Sequence, residues 1–527
     1  MTTAAFMDIV SNSILISTLF LVLGLLYYYY YYIYDRQKTN HHGKKKKYHP
    51  TGATLLGVLI NYNTGHHFLT DLAAKYKTYR IAIPFQRQVL TSDPKNVEYI
   101  LKTNFKNYGK GKHFCDIMKD LLGDGIFAVD GDQWREQRKI TSHVLASKVL
   151  KDYSSEIFRN NTFKLRNILS EAANTNQTVD INDLLMKATM DSLFKVAFGV
   201  DLDNMSNSTE ESAKFTRAFD DANTLIIRRL VDITWKIKKF LNIGSEAELT
   251  RNMKVIDEFV YKVIQLKIQQ THNLKDESST TSLMKKNDIL STFVESNEQD
   301  PKYLRDIILN YVLAGKDPIA IAMVWFIYML CKHPEIQEKV ARDIKTAAVN
   351  MDEEEEITNI ADFDARVSEA ALEKMQYLHA ALSETIRLYP PLPLDVKTCF
   401  SDDVLPDGYN VQKGDNVLYL PYAMGKMKFI WGDDALEFKP ERWLDQDGCF
   451  HPESPYKFTA FQGGPRICLG RDFAYRQLKT FSALLIGCFV FRLSNENNVR
   501  TYRPSINLHV DGPLQICVFN RFMLHKP

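Results

Sequence analysis

What this chain most clearly lacks is a pairing pattern for its cysteines. The seven are scattered, odd in number and show no Cys-x-x-Cys spacing. That excludes a disulfide framework or structural zinc site and suits a reducing compartment. Charge of one sign is also missing: 66 basic residues stand against 64 acidic ones, so no net field draws nucleic acid. No Pro/Gly/Ser-rich linker follows the first fifty residues, and no internal repeat is visible. Length alone would divide 527 residues into several domains. Without a linker, one large, mainly helical body is the better reading.

Charge is absent altogether from Ile9 to Tyr34. At about 26 residues this run exceeds the roughly 20 needed to span a bilayer as a helix. Tyr27–Tyr32 and Tyr34 supply the amphipathic rings expected at a membrane–water interface. The run is too long for a cleaved signal peptide, and no small-residue cleavage site follows it. Asp8 precedes the run, whereas Arg36, Lys38 and Lys44–Lys47 follow it, so the positive-inside rule keeps the remainder in the cytosol. Residues 1–34 are therefore expected to form a single-pass membrane anchor. Residues 35–52 read as a basic hinge that touches anionic headgroups and is stiffened by Pro50. Residues 53–527 read as the cytosolic body.

Within the body, Arg80–Pro84 and Gln88–Thr91 read as strands of a small sheet, and Asp93-Pro94 as the cap and first position of a helix. Residues 150–273 read as successive helices. Their Arg228–Val231 and Lys236–Phe240 can form an amphipathic lip at a membrane surface or a solvated face. Asp276–Asn287 and Asp352–Glu356 read as polar loops. A long apolar helix is expected from about Leu304 to Lys332.

Chemistry concentrates in Phe461–Gly470, FQGGPRICLG. A lone cysteine is most often a small buried hydrophobe, but Cys468 lies in a glycine-rich loop with a helix-like segment starting at Arg471. A thiol at a helix N-terminus meets backbone N–H groups and the positive end of the dipole, which favour its anion. Gly463, Gly464 and Gly470 let the backbone approach a bulky flat ligand. Such a thiolate can be the proximal ligand of heme iron, donating electron density that favours O–O cleavage. Far upstream, Trp134 and Arg138 are four residues apart and share one helical face. An indole N–H and a guanidinium on one face can both donate to a carboxylate.

F-x-x-G-x-R-x-C-x-G, met at all five fixed positions from Phe461 to Gly470, resembles the signature of the cytochrome P450 family. The resemblance implies a mainly α fold with a small β-sheet, here behind an N-terminal transmembrane helix. It implies heme b ligated to iron through Cys468, with Trp134, Arg138, Lys397 and Arg466 on the propionates. Glu384 and Arg387 match the family's E-x-x-R stretch, and Pro440-Glu441-Arg442-Trp443 its P-x-R-W region. Glu384, Arg387 and Arg442 are then a structural charge network under the Cys loop, tolerated only if fully paired. Leu121–Phe127, Asp402–Gly408 and Tyr422–Met427 resemble the fatty-acid ω-hydroxylase branch of fungi and plants. That places Phe127 beside the heme, with Ala314, Ile319, Ile506 and Leu508 as further pocket walls and Ser505–Val510 turning back into the pocket.

The implied activity is insertion of one oxygen atom from O2 into a long-chain fatty acid or similar lipophile. Electrons would come from NADPH through an NADPH–cytochrome P450 reductase, meeting Arg135, Lys139, Arg471, Arg476 and Lys479 on the Cys side. The implied setting is the endoplasmic reticulum membrane, with membrane lipids as a contact and no nucleic-acid partner.

One departure matters. The central helix carries Ala314-Gly315-Lys316-Asp317-Pro318-Ile319, whereas the family pattern is A/G-G-x-D/E-T-T/S, so both hydroxyl residues are replaced. Pro318 has no N–H, and the Ala314 carbonyl four residues earlier loses its helical partner. That carbonyl can hold a water linked to solvent by Asp317, which makes Asp317 and Pro318 the expected proton-delivery residues. A kink there can equally serve packing alone. The departure also leaves open a reductase-independent isomerase, dehydratase or peroxygenase acting on lipid hydroperoxides, and a non-catalytic heme protein that sequesters a lipophile.

Overall fold

The computed structural model describes residues 23–24, 47–83, 86–207, 209–230, 232, 234–276, 288–295, 300–349, 360–496 and 500–524. The expected span Ile9–Tyr34 (Leu23 and Gly24 apart), Lys44–Lys46, Pro84, Val231 and the polar stretches Glu277–Asn287 and Asp352–Glu356 lie outside them.

A polar anchor starts the body. His49 stacks on Tyr409 with centroids 4.3 Å apart and bonds Asp407 at 2.9 Å, and Asp407 accepts from Asn96 at 2.7 Å. Next come β1 (Thr51–Thr54), α1 (Leu55–Ile60), α2 (Gly65–Tyr76), β2 (Thr78–Ile83) and β3 (Gln86–Thr91). The two strands expected from the sequence are thus present, each starting two residues earlier. Asp93 caps the following turn as expected, accepting from the Lys95 N–H at 2.9 Å with Pro94 at its first position.

The middle of the chain runs through β4 (Tyr108–Gly109), α3 (Gly111–Leu122), α4 (Gly131–Leu145) and α5 (Lys148–Thr175). It continues with β5 (Val179–Asp180), α6 (Ile181–Phe198), α7 (Glu210–Arg228), α8 (Trp235–Leu241) and α9 (Gly244–Asp276). Large aromatic rings bury the most area per residue, and they join these helices. Phe215 of α7 stacks on Phe259 of α9 at 4.4 Å, and Phe194 of α6 meets Phe215 edge-on at 5.8 Å.

The expected central helix is two helices, α10 (Pro301–Gly315) and α11 (Asp317–Lys332), broken at Lys316. Pro318 explains the break: it offers no N–H to the preceding turn, but is tolerated in the first turn of a new helix. Pro301–Lys332 is the one stretch among the described residues long and apolar enough to cross a membrane, and its apolar window is 78% buried inside the protein. It is the core of the fold. The remaining main elements are α12 (Gln376–Leu388), β6 (Asp395–Cys399), β7 (Asn416–Tyr419), α13 (Arg471–Cys488), β8 (Phe489–Leu493) and β9 (Gln515–Asn520). A six-stranded sheet has the order β1-β2-β3-β7-β6-β4, and a second sheet the order β8-β9-β5.

The Leu121–Phe127 loop is clamped onto α10. Asp306 accepts from the Asp124 N–H at 2.9 Å, and Asn310 donates to the Leu122 carbonyl at 2.9 Å and accepts from the Phe127 N–H at 3.3 Å. Gly125 faces the Asn310 amide so closely that a Cβ would overlap it, whereas Gly65 has open space. Gly125→Ala should therefore cost about 1–3 kcal/mol through overpacking, and Gly65→Ala almost nothing. Urea denaturation of the two variants checks this contrast.

Candidate active site

The Cys loop is held by its own backbone and by what lies beneath it. The Cys468 N–H donates to the Phe461 carbonyl at 2.8 Å, and the Ile467 N–H to the Gly464 carbonyl at 3.0 Å. Gly464 has φ +62° and packs against the Leu101 carbonyl with no room for a Cβ, so only glycine fits there. α13 begins at Arg471, directly after the loop, as expected from the sequence.

Under the loop, Glu384 and Arg387 are fully buried. Arg387 forks onto Glu384 with Nε and an Nη each at 2.7 Å, and its remaining N–H groups reach the Gly425, Ala435 and Glu437 carbonyls. Glu384 also accepts from the Lys439 N–H at 3.0 Å and the Trp443 indole at 2.9 Å. Arg442 lies 3.5 Å from Glu384 and donates to the Trp431 carbonyl at 2.9 Å. The expected network is present and fully paired.

Above the loop is a cavity of about 570 Å³. Cys468 is exposed only in the sense that its sulfur faces this cavity, which it lines. Burial pushes its thiol pKa up, opposed by the Gly470 N–H and the charges of Arg138 and Arg471. A cation bound on the cavity side would favour the anion further.

Three cations matter in the lining of the cavity, two of them at the Cys loop. Arg138 donates to the Ile467 carbonyl at 2.7 Å. Arg466 lies over the buried Trp134 ring at 4.4 Å and pairs with Asp130 at 2.7 Å, while its Nε is buried without a partner. Lys110, which the sequence reading missed, bonds Asp395 at 2.6 Å. Trp134 does not line the cavity itself; it supports Arg466 and packs on Phe105.

Lys397 is placed differently from the expectation. It is buried, does not line the cavity, and bonds the other oxygen of Asp395 at 2.6 Å. One carboxylate thus serves two ammonium groups, and Tyr419 donates to it as well at 2.9 Å. Burial lowers the Lys397 pKa to about 7, against the pull of Asp395 and aided by the Lys110 charge. Asp395 itself is held well below the usual carboxylate range, because the two lysines outweigh its burial.

On the α10–α11 side, Ala314, Pro318 and Ile319 line the cavity, as do Phe127 and Ile506. Leu508, expected on the wall, is fully buried elsewhere: its N–H donates to the Pro391 carbonyl and its carbonyl accepts from the Trp325 indole, both at 2.9 Å. Asp317 also does not reach the cavity. It is buried, 3.2 Å from Lys316 Nζ, 3.4 Å from Asn507 Nδ2 and 3.6 Å from His509 Nε2. Burial would raise its pKa, but Lys316 and His509 outweigh that and hold the carboxyl ionised. Lys316 bonds Asp220 of α7 at 2.5 Å.

These residues fit heme b: an orphaned guanidinium Nε and two further cations suit its carboxylates, and a cavity-facing thiol suits its iron. The cytochrome P450 family profile matches residues 49–518. The chain belongs to the cytochrome P450 family. It is similar to cytochrome P450 704C1 of Pinus taeda, 50% identical over 88% of this P450 and 90% of the relative. Cytochrome P450 704B1 of Arabidopsis thaliana is 41% identical over 88% and 92% of the two chains. Cytochrome P450 86B1 of the same plant is 37% identical over 82% and 77%. The chain is a P450 monooxygenase by this membership.

The P450 has a second cavity, of about 510 Å³, beside the Cys loop, sharing Phe461, Gln462 and Ile467 with the first. Of the five basic residues expected to meet a reductase, Arg135, Lys139 and Arg471 are exposed. Arg476 and Lys479 are turned inward onto this cavity, bonding Ser154 at 3.2 Å and the Leu372 carbonyl at 2.9 Å. His379 lines it too, stacked on Phe450 at 3.9 Å.

Two outcomes follow for stability. Arg387→Met leaves Glu384 buried without its two-pronged partner, and should cost about 3–5 kcal/mol, read from denaturant midpoints. Burial, then Lys479 and Arg471, lower the His379 pKa from 6.5 to about 3. Between those values the unfolded chain binds a proton that the folded one refuses. Stability from this group is therefore complete above pH 6.5 and lost on acidification, at up to about 1.4 kcal/mol per pH unit. His379→Phe should flatten that part of the pH profile relative to the parent chain.

Proposed function

We propose that this P450 inserts one oxygen atom from O2 into a long-chain fatty acid or similar lipophile. Electrons reach it from NADPH through a P450 reductase. The observation that carries the lipid reading is the cavity wall. It includes Phe114, Ile117, Leu122 and Phe68 as well as Val58 of α1, the helix that exposes Leu56, Leu59 and Ile60 on its outer surface. A largely apolar cavity whose wall includes a helix with an apolar outer surface suits a long chain arriving from a bilayer.

Cys468 would ligate the iron, and Arg138, Arg466 and Lys110 would hold the propionates, with Trp134 supporting Arg466. Lys397 would act through Asp395, stepping in for Lys110 when that lysine turns to a propionate. Heme, when bound, supplies a thiolate-ligated iron that activates O2. This chain's own residues do the rest. The apolar wall excludes water and lays out the lipid chain, and Phe127 narrows the approach at the reacting end. The exposed Arg135, Lys139 and Arg471 would meet acidic groups of the reductase.

Residues 1–34 would anchor the protein in the endoplasmic reticulum membrane, with residues 53–527 as a cytosolic catalytic domain. Ile237, Phe240 and Leu241 of α8 are exposed beside Lys236, Lys238 and Lys239, which supports the lip reading over a plain solvated face.

A second reading, a reductase-independent enzyme acting on lipid hydroperoxides, is favoured by one observation: no hydroxyl residue lies among Ala314–Ile319, the α10–α11 junction that lines the cavity. Reconstitution with reductase, NADPH and a panel of lipids separates the two. The main reading expects NADPH-dependent oxidised lipid, abolished by Cys468→Ala. Hydroperoxide consumption without reductase, and no NADPH-dependent product, would overturn it.

A further inference from the structure

The residue that faces the cavity where a helix hydroxyl is missing is not on the helix. Asn507, in the loop between Arg503 and Val510, lines the cavity together with Pro318 and Ile319, and its Nδ2 donates to Asp317 Oδ2 at 3.4 Å. Asp317 cannot turn away from it. Lys316 lies 3.2 Å from one oxygen and His509 3.6 Å from the other, and Lys316 is tied to Asp220 of α7.

Chemistry then fixes which way the Asn507 amide points. An ionised carboxylate only accepts, so the NH2 must face Asp317 and the carbonyl oxygen must face the other way. No protein donor among the described residues reaches that oxygen, and it is not among the fully enclosed unpaired atoms. The loop is itself held in place: the His509 N–H donates to the Asn507 carbonyl at 2.9 Å, the Ser505 hydroxyl to the same atom at 2.5 Å, and Leu508 is tied at both backbone groups. An oriented acceptor therefore stands beside the apolar Pro318 and Ile319 of the cavity wall.

We propose that Asn507 is a positioning residue that seats a water on the α10–α11 side of the cavity. Its Oδ1 accepts a hydrogen bond from one water O–H, which leaves the second O–H aimed into the cavity. The loop thus does the work of the absent helix hydroxyl, and Asp317 acts through Asn507 rather than by touching the reacting atoms. Lys316, His509 and Asp220 are the charged or titratable groups that hold this arrangement. The inference rests on the heme site proposed above.

Asn507→Leu keeps the side-chain size and removes the seat. In the full-length, lipid-free ferric protein, the high-spin fraction should rise by about twofold or more, because a water that loses one hydrogen bond is held less well. Heme content should stay the same. Asn507→Ser, which is too short to reach Asp317, should behave alike and guards against a folding defect of the leucine variant. With lipid, reductase and NADPH, product per NADPH should fall about fivefold, with peroxide released in its place and the lipid Kd unchanged. Adding Pro318→Thr, which restores a hydroxyl to the helix, should recover most of the loss.

An unchanged spin state in both variants overturns the proposal, as does a loss of product that tracks a loss of lipid affinity, or one that Pro318→Thr fails to recover. The spin-state readout needs neither lipid nor reductase. It can fail while lipid oxidation stands, and succeed while lipid oxidation fails.

Discussion

The position of the thiol depends on one buried ion pair being completely satisfied. Taking Glu384 and Arg387 out of water costs several kcal/mol per ion, and their mutual attraction offsets this only if the remaining donors and acceptors are used. They are used on segments far apart in sequence: the Gly425, Ala435 and Glu437 carbonyls, the Lys439 N–H and the Trp443 indole. Each bond therefore also fixes a piece of loop. Gly425 sits so close to the Arg387 carbonyl that no side chain fits there. Trp443, held by Glu384, packs edge-on against Phe458 at 4.8 Å, and Phe458 leads into the Cys loop. A charge network thus carries the loop where apolar packing alone would let it slide, which is the specificity role that buried ion pairs can play.

Much of this was legible in the linear pattern, because it depends on local order. Asp93-Pro94 marks a helix start, Arg471 opens α13 directly after the Cys loop, and Glu384 and Arg387 are one turn apart. What was not legible is which way a side chain turns. Lys397 lies on a strand two residues from Asp395, so the two share a face and bond each other. That neighbour was visible in the sequence, but its partner Lys110 arrives from β4's end by tertiary packing. Leu508 and Asn507 are adjacent in an irregular loop, where no period says which of them faces the cavity. Polar residues in a loop expected to enter an apolar pocket were the available signal.

The break at Lys316 shows how one substitution reorganises its surroundings. In an unbroken helix, residue 316 would be an interior position among apolar neighbours, and a buried ammonium there would be costly. With Pro318 ending one helix and starting another, Lys316 becomes the junction, with φ −80° and ψ −70°. Its side chain reaches Asp220 on α7, and its charge lies against Asp317 in the first turn of α11, where a carboxylate also suits the helix dipole. Lys316 thus bridges the half-buried Asp220 and the buried Asp317, and Asp317 in turn meets His509. Such a cluster keeps the Asp317 charge off the cavity wall: the carboxyl is held ionised and meets that wall through the neutral amide of Asn507. A lipid chain can then lie against Ala314, Pro318 and Ile319 without meeting a charge. The polar function that a helix hydroxyl would have supplied is left to a loop that the same cluster holds in place.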